Sequence, residues 1–147
     1  MKDKTIDYVL RTTWLTVFKM YNEEALKFGS TMATGLTLLS IDQEKGTPST
    51  SLGPKMGMEA TSLSRILKTM EKRGLIERKP NPDDGRSVLI YLTEFGKEKR
   101  AYSREKVLTF NEAIRNNISE EKLNHFYEVA QLINEMVSNK KIYNQTK

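Results

Sequence analysis

Apolar residues fall at helical spacing in the first and last parts of the chain and alternate only near its middle. Over residues 6–28, Ile6, Val9, Leu10, Trp14, Val17, Phe18, Tyr21, Ala25 and Phe28 recur three and four apart. That spacing predicts one amphipathic helix, ended by Gly29-Ser30. A second helix is expected over 31–43, with Leu36, Leu39 and Ile41 among its buried candidates, before Lys45-Gly46-Thr47-Pro48 breaks the chain. Residues 49–56 suit a short helix if Thr50 or Ser51 caps it. Pro54 then falls in the first turn, where its missing N–H is not needed.

The best-formed helix covers 60–73. Leu63, Ile66, Leu67 and Met70 occupy a narrow arc, and Thr61, Arg65, Lys68 and Lys72 lie opposite. Lys72 and Arg73 complement the helix dipole, and Gly74 stands where a left-handed terminating residue is wanted. Glu59 occupies the position where Ser, Thr or Asp commonly caps a helix. The period then changes to two. Residues 75–79 and 87–92 read as strands, with Asp84-Gly85 a hairpin signal and Pro80 and Pro82 stiffening the loop. Thr93 caps a helix over 94–117, and Ser119-Glu120-Glu121 opens a last one to about residue 138. The tail, 139–147, is polar and is expected to fray.

Length adds that 147 residues make one domain or a compact pair of subdomains. The absence of cysteine excludes disulfides, thiolate metal sites and cysteine nucleophiles. No apolar run reaches the roughly 18 residues of a membrane span, and no secretory signal is visible, so a soluble, cytoplasmic protein is expected. The single histidine, His125, suits a structural or surface role. No metal or cofactor is expected. Gly53-Pro54-Lys55-Met56-Gly57 lacks the Gly-Lys-Ser/Thr end of a phosphate loop. No nucleophile–base pair is visible, so the chain is not expected to be an enzyme. Net charge is +5, and residues 65–79 concentrate six basic residues against Glu71 and Glu77. Such a stretch is either a footprint for a polyanion or a solvated helix face.

Short helix, turn, longer helix and two-stranded hairpin make the order of a winged helix-turn-helix. A major groove about 12 Å wide admits one helix held by a packed scaffold. Thr61, Ser62 and Ser64 are small enough for close approach. Arg65 can reach a guanine edge or a phosphate, and Lys68 and Lys72 suit phosphate. At the hairpin tip, Asp84 can hold the Arg86 guanidinium in a fixed fork, ready for a narrow minor groove. The alternative is a salt bridge that only orders the loop.

These residues resemble the MarR family of bacterial transcription regulators. The likeness is sharpest in TSLSRILKTMEKRGLIER, 61–78, and NPDDGRSVLIYLTEFGK, 81–97. It rests on a helix running into Gly-Leu-Ile, a D-x-R wing, and a Leu-Thr-x-x-Gly helix start. It implies a mainly α fold with a small β-hairpin wing, in which 31–93 is the winged helix-turn-helix DNA-binding domain and 1–30 with 94–147 the helical dimerisation region. Arg86 becomes the minor-groove arginine and Asp84 its buttress, with Thr61, Ser62 and Arg65 near the bases. The partners implied are a second copy and double-stranded DNA with a palindromic operator. Lack of cysteine excludes the thiol-based peroxide-sensing branch. Arg11, Trp14 and Phe18 could cradle an aromatic or acyl small-molecule effector; alternatively Trp14 and Phe18 are dimer core. The expected function is a dimeric regulator, a repressor of nearby genes relieved by such a ligand. The alternative is a winged-helix protein-interaction module without DNA binding.

Overall fold

The computed structural model describes residues 4–144. Its elements are α1 (Ile6–Leu26), α2 (Met32–Ser40), β1 (Thr47–Pro48), α3 (Ser49–Met56), α4 (Ala60–Lys72), β2 (Ile76–Pro80), β3 (Val88–Leu92), α5 (Glu94–Asn117) and α6 (Glu120–Ser138). Among the described residues, those up to Lys106 form one compact unit and those from Val107 onward a second, the division falling inside α5. The mainly helical fold with a small sheet agrees with the sequence reading, and the differences are local.

The first helix stops at Leu26, short of Phe28, and the turn behind it uses a left-handed Gly29 with φ of 69°. Phe28 is free of the helix and lays its ring 4.3 Å from that of Tyr102 on α5. The second helix stops at Ser40 instead of Gln43, because Ile41 is extended. Beyond it Asp42 captures the N–H groups of Lys45 at 2.8 Å and Glu44 at 2.9 Å. These donors, Lys45 first, hold its carboxyl below the usual carboxylate range. The buried stripe of α2 also differs from expectation. It is Thr34, Thr37, Leu38 and then Ile41, while Leu36 and Leu39 are half-buried. Threonine can sit inside because the Thr37 hydroxyl donates to the Ala33 carbonyl at 2.8 Å.

The α3 boundaries agree with expectation, but its start does not. Pro48 occupies the N-cap position, without a side-chain cap, so Pro54 lies in the second turn. Fully buried Leu52 anchors the helix despite the missing donor. α4 ends in a Schellman motif: Gly74, φ 74°, donates to Glu71 at 3.0 Å and Leu75 to Met70 at 2.9 Å. Arg73 does more than complement the dipole, since its guanidinium donates to the Gly29 carbonyl at 3.1 Å.

The sheet has the order β1-β3-β2, all antiparallel, with Ile76 opposite Leu92 and Thr47 opposite Ile90. β1 lies where the sequence reading placed only a chain break. The core comprises Leu38, Ile41, Leu52, Leu63, Leu67, Met70, Leu75, Ile76, Ile90 and Leu92. All ten lie between α2 and the end of β3. By contrast α1 and α6 contain no buried residue, and α5 only Gly96.

The join between β3 and α5 is tight. The Thr93 hydroxyl donates to the Gly74 carbonyl at 2.6 Å and accepts from Gly96 N–H at 3.0 Å. The Thr93 N–H donates to the Leu75 carbonyl at 3.1 Å. The end of α4 and the start of α5 are thereby fastened to one residue.

Candidate nucleic-acid interface

The face of α4 away from the core is built by its own periodicity. Leu63, Leu67 and Met70 are buried, and Thr61, Ser62, Ser64, Arg65, Lys68 and Lys72 are all exposed. Among the six basic residues of the 65–79 stretch, three are engaged within the unit. Arg78 meets Glu71 at 3.3 Å, Lys79 meets Glu77 at 3.6 Å, and Arg73 holds Gly29. Arg65, Lys68 and Lys72 have no ion-pair partner among the described residues. The acidic residues of the stretch are thus spent on other partners, and the three outward cations remain unneutralised.

The helix ends add donors. α1, α2, α5 and α6 are capped by the hydroxyls of Thr5, Thr31, Thr93 and Ser119. The N-cap residues of α3 and α4, Pro48 and Glu59, make no side-chain cap bond. Their first-turn N–H groups are left for solvent or an external anion.

The hairpin loop is where geometry departs most from expectation. Asp84-Gly85 does not form a tight turn with left-handed residues, for Gly85 is not among the glycines with positive φ. Two successive turns share Asp84 instead. Asp84 N–H donates to the Asn81 carbonyl at 3.4 Å and Ser87 N–H to the Asp84 carbonyl at 3.2 Å. Each turn opens with a side chain that accepts the N–H two residues on. Asn81 Oδ1 takes Asp83 at 3.0 Å, and Asp84 Oδ1 takes Arg86 at 3.0 Å. The Arg86 Nε lies 3.4 Å from Asp84 Oδ1 and its side chain is 93% exposed. The expected two-pronged fork is therefore a single contact from Nε, which leaves the rest of the guanidinium free.

On α1, Trp14 and Phe18 meet edge to face at 6.1 Å. The Arg11 guanidinium instead approaches Asp7 at 3.8 Å and the Tyr8 ring at 5.7 Å, one turn nearer the N-terminus. His125 is a surface residue on α6, 3.9 Å from both Glu121 and Glu128. The hydrogen bonds of Asn81 were not legible in the sequence, because an Asn-Pro pair reads only as a loop signal. Which N–H its amide captures depends on the backbone path.

A core-backed helix with a cationic outer face, preceded by a short helix and followed by a hairpin, defines a winged helix-turn-helix protein. Residues 31–88 match the MarR family. These residues thus form a MarR-type domain. The chain is 29% identical over 89 residues to the HTH-type transcriptional regulator SarZ of Staphylococcus haemolyticus, the match spanning 60% of each chain. The S. aureus MepR–DNA complex superposes with a TM-score of 0.79 at 21% identity, covering 92% of this chain and 99% of that one. CouR from Rhodococcus jostii RHA1 bound to p-coumaroyl-CoA gives 0.77 at 22% identity, covering 88% and 92%. Among the described residues no helix is long and apolar enough to cross a membrane.

Proposed function

We propose that the chain is a dimeric, sequence-specific DNA-binding transcriptional regulator. The observation that carries this reading is the unneutralised trio Arg65, Lys68 and Lys72 on the outer face of α4. α4 enters the major groove, with Thr61, Ser62, Ser64 and Arg65 facing base edges and Lys68 and Lys72 on phosphates. Arg86, set by Asp84, enters the adjacent minor groove. Residues 31–93 do the reading, and 1–30 with 94–147 hold two copies together. Exposed Ile6 (70%), Phe126 (58%) and Val137 (59%) support the pairing, since apolar surface at that density is normally covered. In a two-fold dimer the half-sites lie about 34–36 Å apart.

Footprinting on the DNA upstream of the protein's own gene tests this reading. Protection of an inverted repeat by a species of dimeric mass at micromolar concentration is expected. A stable monomer, or no protected bases at moderate salt, overturns it and favours a protein-contact module. Lys68→Ala should weaken binding to all duplexes alike and lower the salt-dependence slope by about one unit. A change in base preference would instead place Lys68 on a base edge.

Regulation is proposed as release from DNA by an aromatic or acyl ligand near Trp14 and Phe18, making the chain a repressor of nearby genes. The edge-to-face rings support such a cradle, although Arg11 faces Asp7 and the Tyr8 ring instead, and the structural neighbour CouR holds p-coumaroyl-CoA. Release requires that the ligand bind better to the state unable to hold the operator.

A further inference from the structure

The wing arginine depends on a loop whose shape is fixed by one side chain outside the D-x-R motif. Asn81 is half-buried at the end of β2. Its amide makes two bonds, one to a residue two positions on and one to a residue six positions on. Oδ1 accepts from Asp83 N–H at 3.0 Å, and Nδ2 donates to the Ser87 hydroxyl at 3.0 Å. Its carbonyl also accepts from Asp84 N–H at 3.4 Å. Ser87 is only 7% exposed, so the far end of this clamp is tied to the base of the hairpin. One residue thereby fixes the first turn, the start of the second turn and the closure of the loop.

We propose that Asn81 is a positioning residue for Arg86, acting through Asp84 to hold the guanidinium at the height and direction in which it meets DNA. This rests on the reading of Arg86 as a DNA contact. The chain of causes is short. Asn81 sets the backbone at Asp84; Asp84 Oδ1 then binds both Arg86 N–H, at 3.0 Å, and Arg86 Nε, at 3.4 Å. Pro82 supports the same geometry, because it presets φ at the second position of the first turn and needs no donor there. Without Asn81 the loop keeps Asp84 and Arg86 but loses their common orientation. Arg86 must then be ordered on binding, at a cost in entropy. Asn81 itself touches no DNA in this scheme.

A double-mutant cycle tests the proposal. Wild type, Asn81→Ala, Arg86→Ala and the double variant are titrated by fluorescence anisotropy, at one salt concentration, against a duplex selected by the wild type from a random pool. Circular dichroism and thermal melting run alongside. Asn81→Ala should weaken binding by about threefold to tenfold beside Arg86 and by about onefold once Arg86 is gone. Melting should stay close to wild type. Asn81→Ser, whose hydroxyl caps the same turn more weakly, should recover part of the loss. Equal losses with and without Arg86 would make Asn81 an independent contact and overturn the proposal. So would an unaffected Asn81→Ala beside a weakened Arg86→Ala, with DNA binding itself left standing. Wild type selecting no duplex removes the parent reading, and the proposal falls with it.

Discussion

Gly96→Ala is expected to destabilise the protein by about 3 kcal/mol, the upper end of the usual cost of forcing a methyl into a packed site. A Cβ at Gly96 would overlap the Leu75 carbonyl oxygen and stand 3.0 Å from its carbon. These are backbone atoms, and they cannot turn aside as a side chain could. The same carbonyl receives the Thr93 N–H at 3.1 Å, so moving it breaks the join between the end of α4 and the start of α5. Urea unfolding measures the cost. Gly57→Ala is the comparison: its backbone, unlike that of Gly96, is left-handed, φ 63°, but nothing lies within 4 Å of the added carbon. It should cost only about 1 kcal/mol. If both variants unfold at the same urea concentration, the tight approach at Gly96 is not what holds the junction.

Arg86→Ala should cost about 1–3 kcal/mol in operator binding with the melting temperature unchanged. The side chain is 93% exposed and touches Asp84 at a single atom pair, so its removal leaves the fold intact. The loss should be largest on operators whose flanks are A·T-rich, where the narrow minor groove concentrates negative potential. Arg86→Lys should recover little, because a lysine has no Nε to rest on Asp84 and no planar fork to present. Anisotropy titrations against operators with A·T and G·C flanks measure both effects. Unaltered affinity for every flank would take the wing out of recognition.

Much of the winged helix-turn-helix was visible in the chain because local and tertiary preferences agree there. Leu63, Leu67 and Met70 fall on one side of α4 by their spacing alone, and Gly74 takes the left-handed conformation its position demands. Other features depended on forces that periodicity does not register. β1 is two residues long and includes a proline, so its strand character comes wholly from pairing with Leu89 and Ile90 of β3. In α2, threonines took places that hydrophobicity assigns to leucine, because a hydroxyl can return its proton to the carbonyl one turn back. At the wing, Asp84-Gly85 has the composition of a tight hairpin turn. Asn81 and Asp84 each seize an N–H two residues ahead, and that spacing of three imposes a longer loop. The identity of the outward cations was legible. Which of them would be neutralised was not, since Arg78 reaches Glu71 across the gap between α4 and β2.

The outer edge of the sheet protects the protein from a different hazard. β2 forms one border of the sheet and ends in Pro80, with Glu77, Arg78 and Lys79 exposed along it. A foreign strand approaching that border meets fixed charges and a position with no N–H to share. A sheet that projects a hairpin into solvent is in this way guarded against edge-to-edge pairing with a second copy.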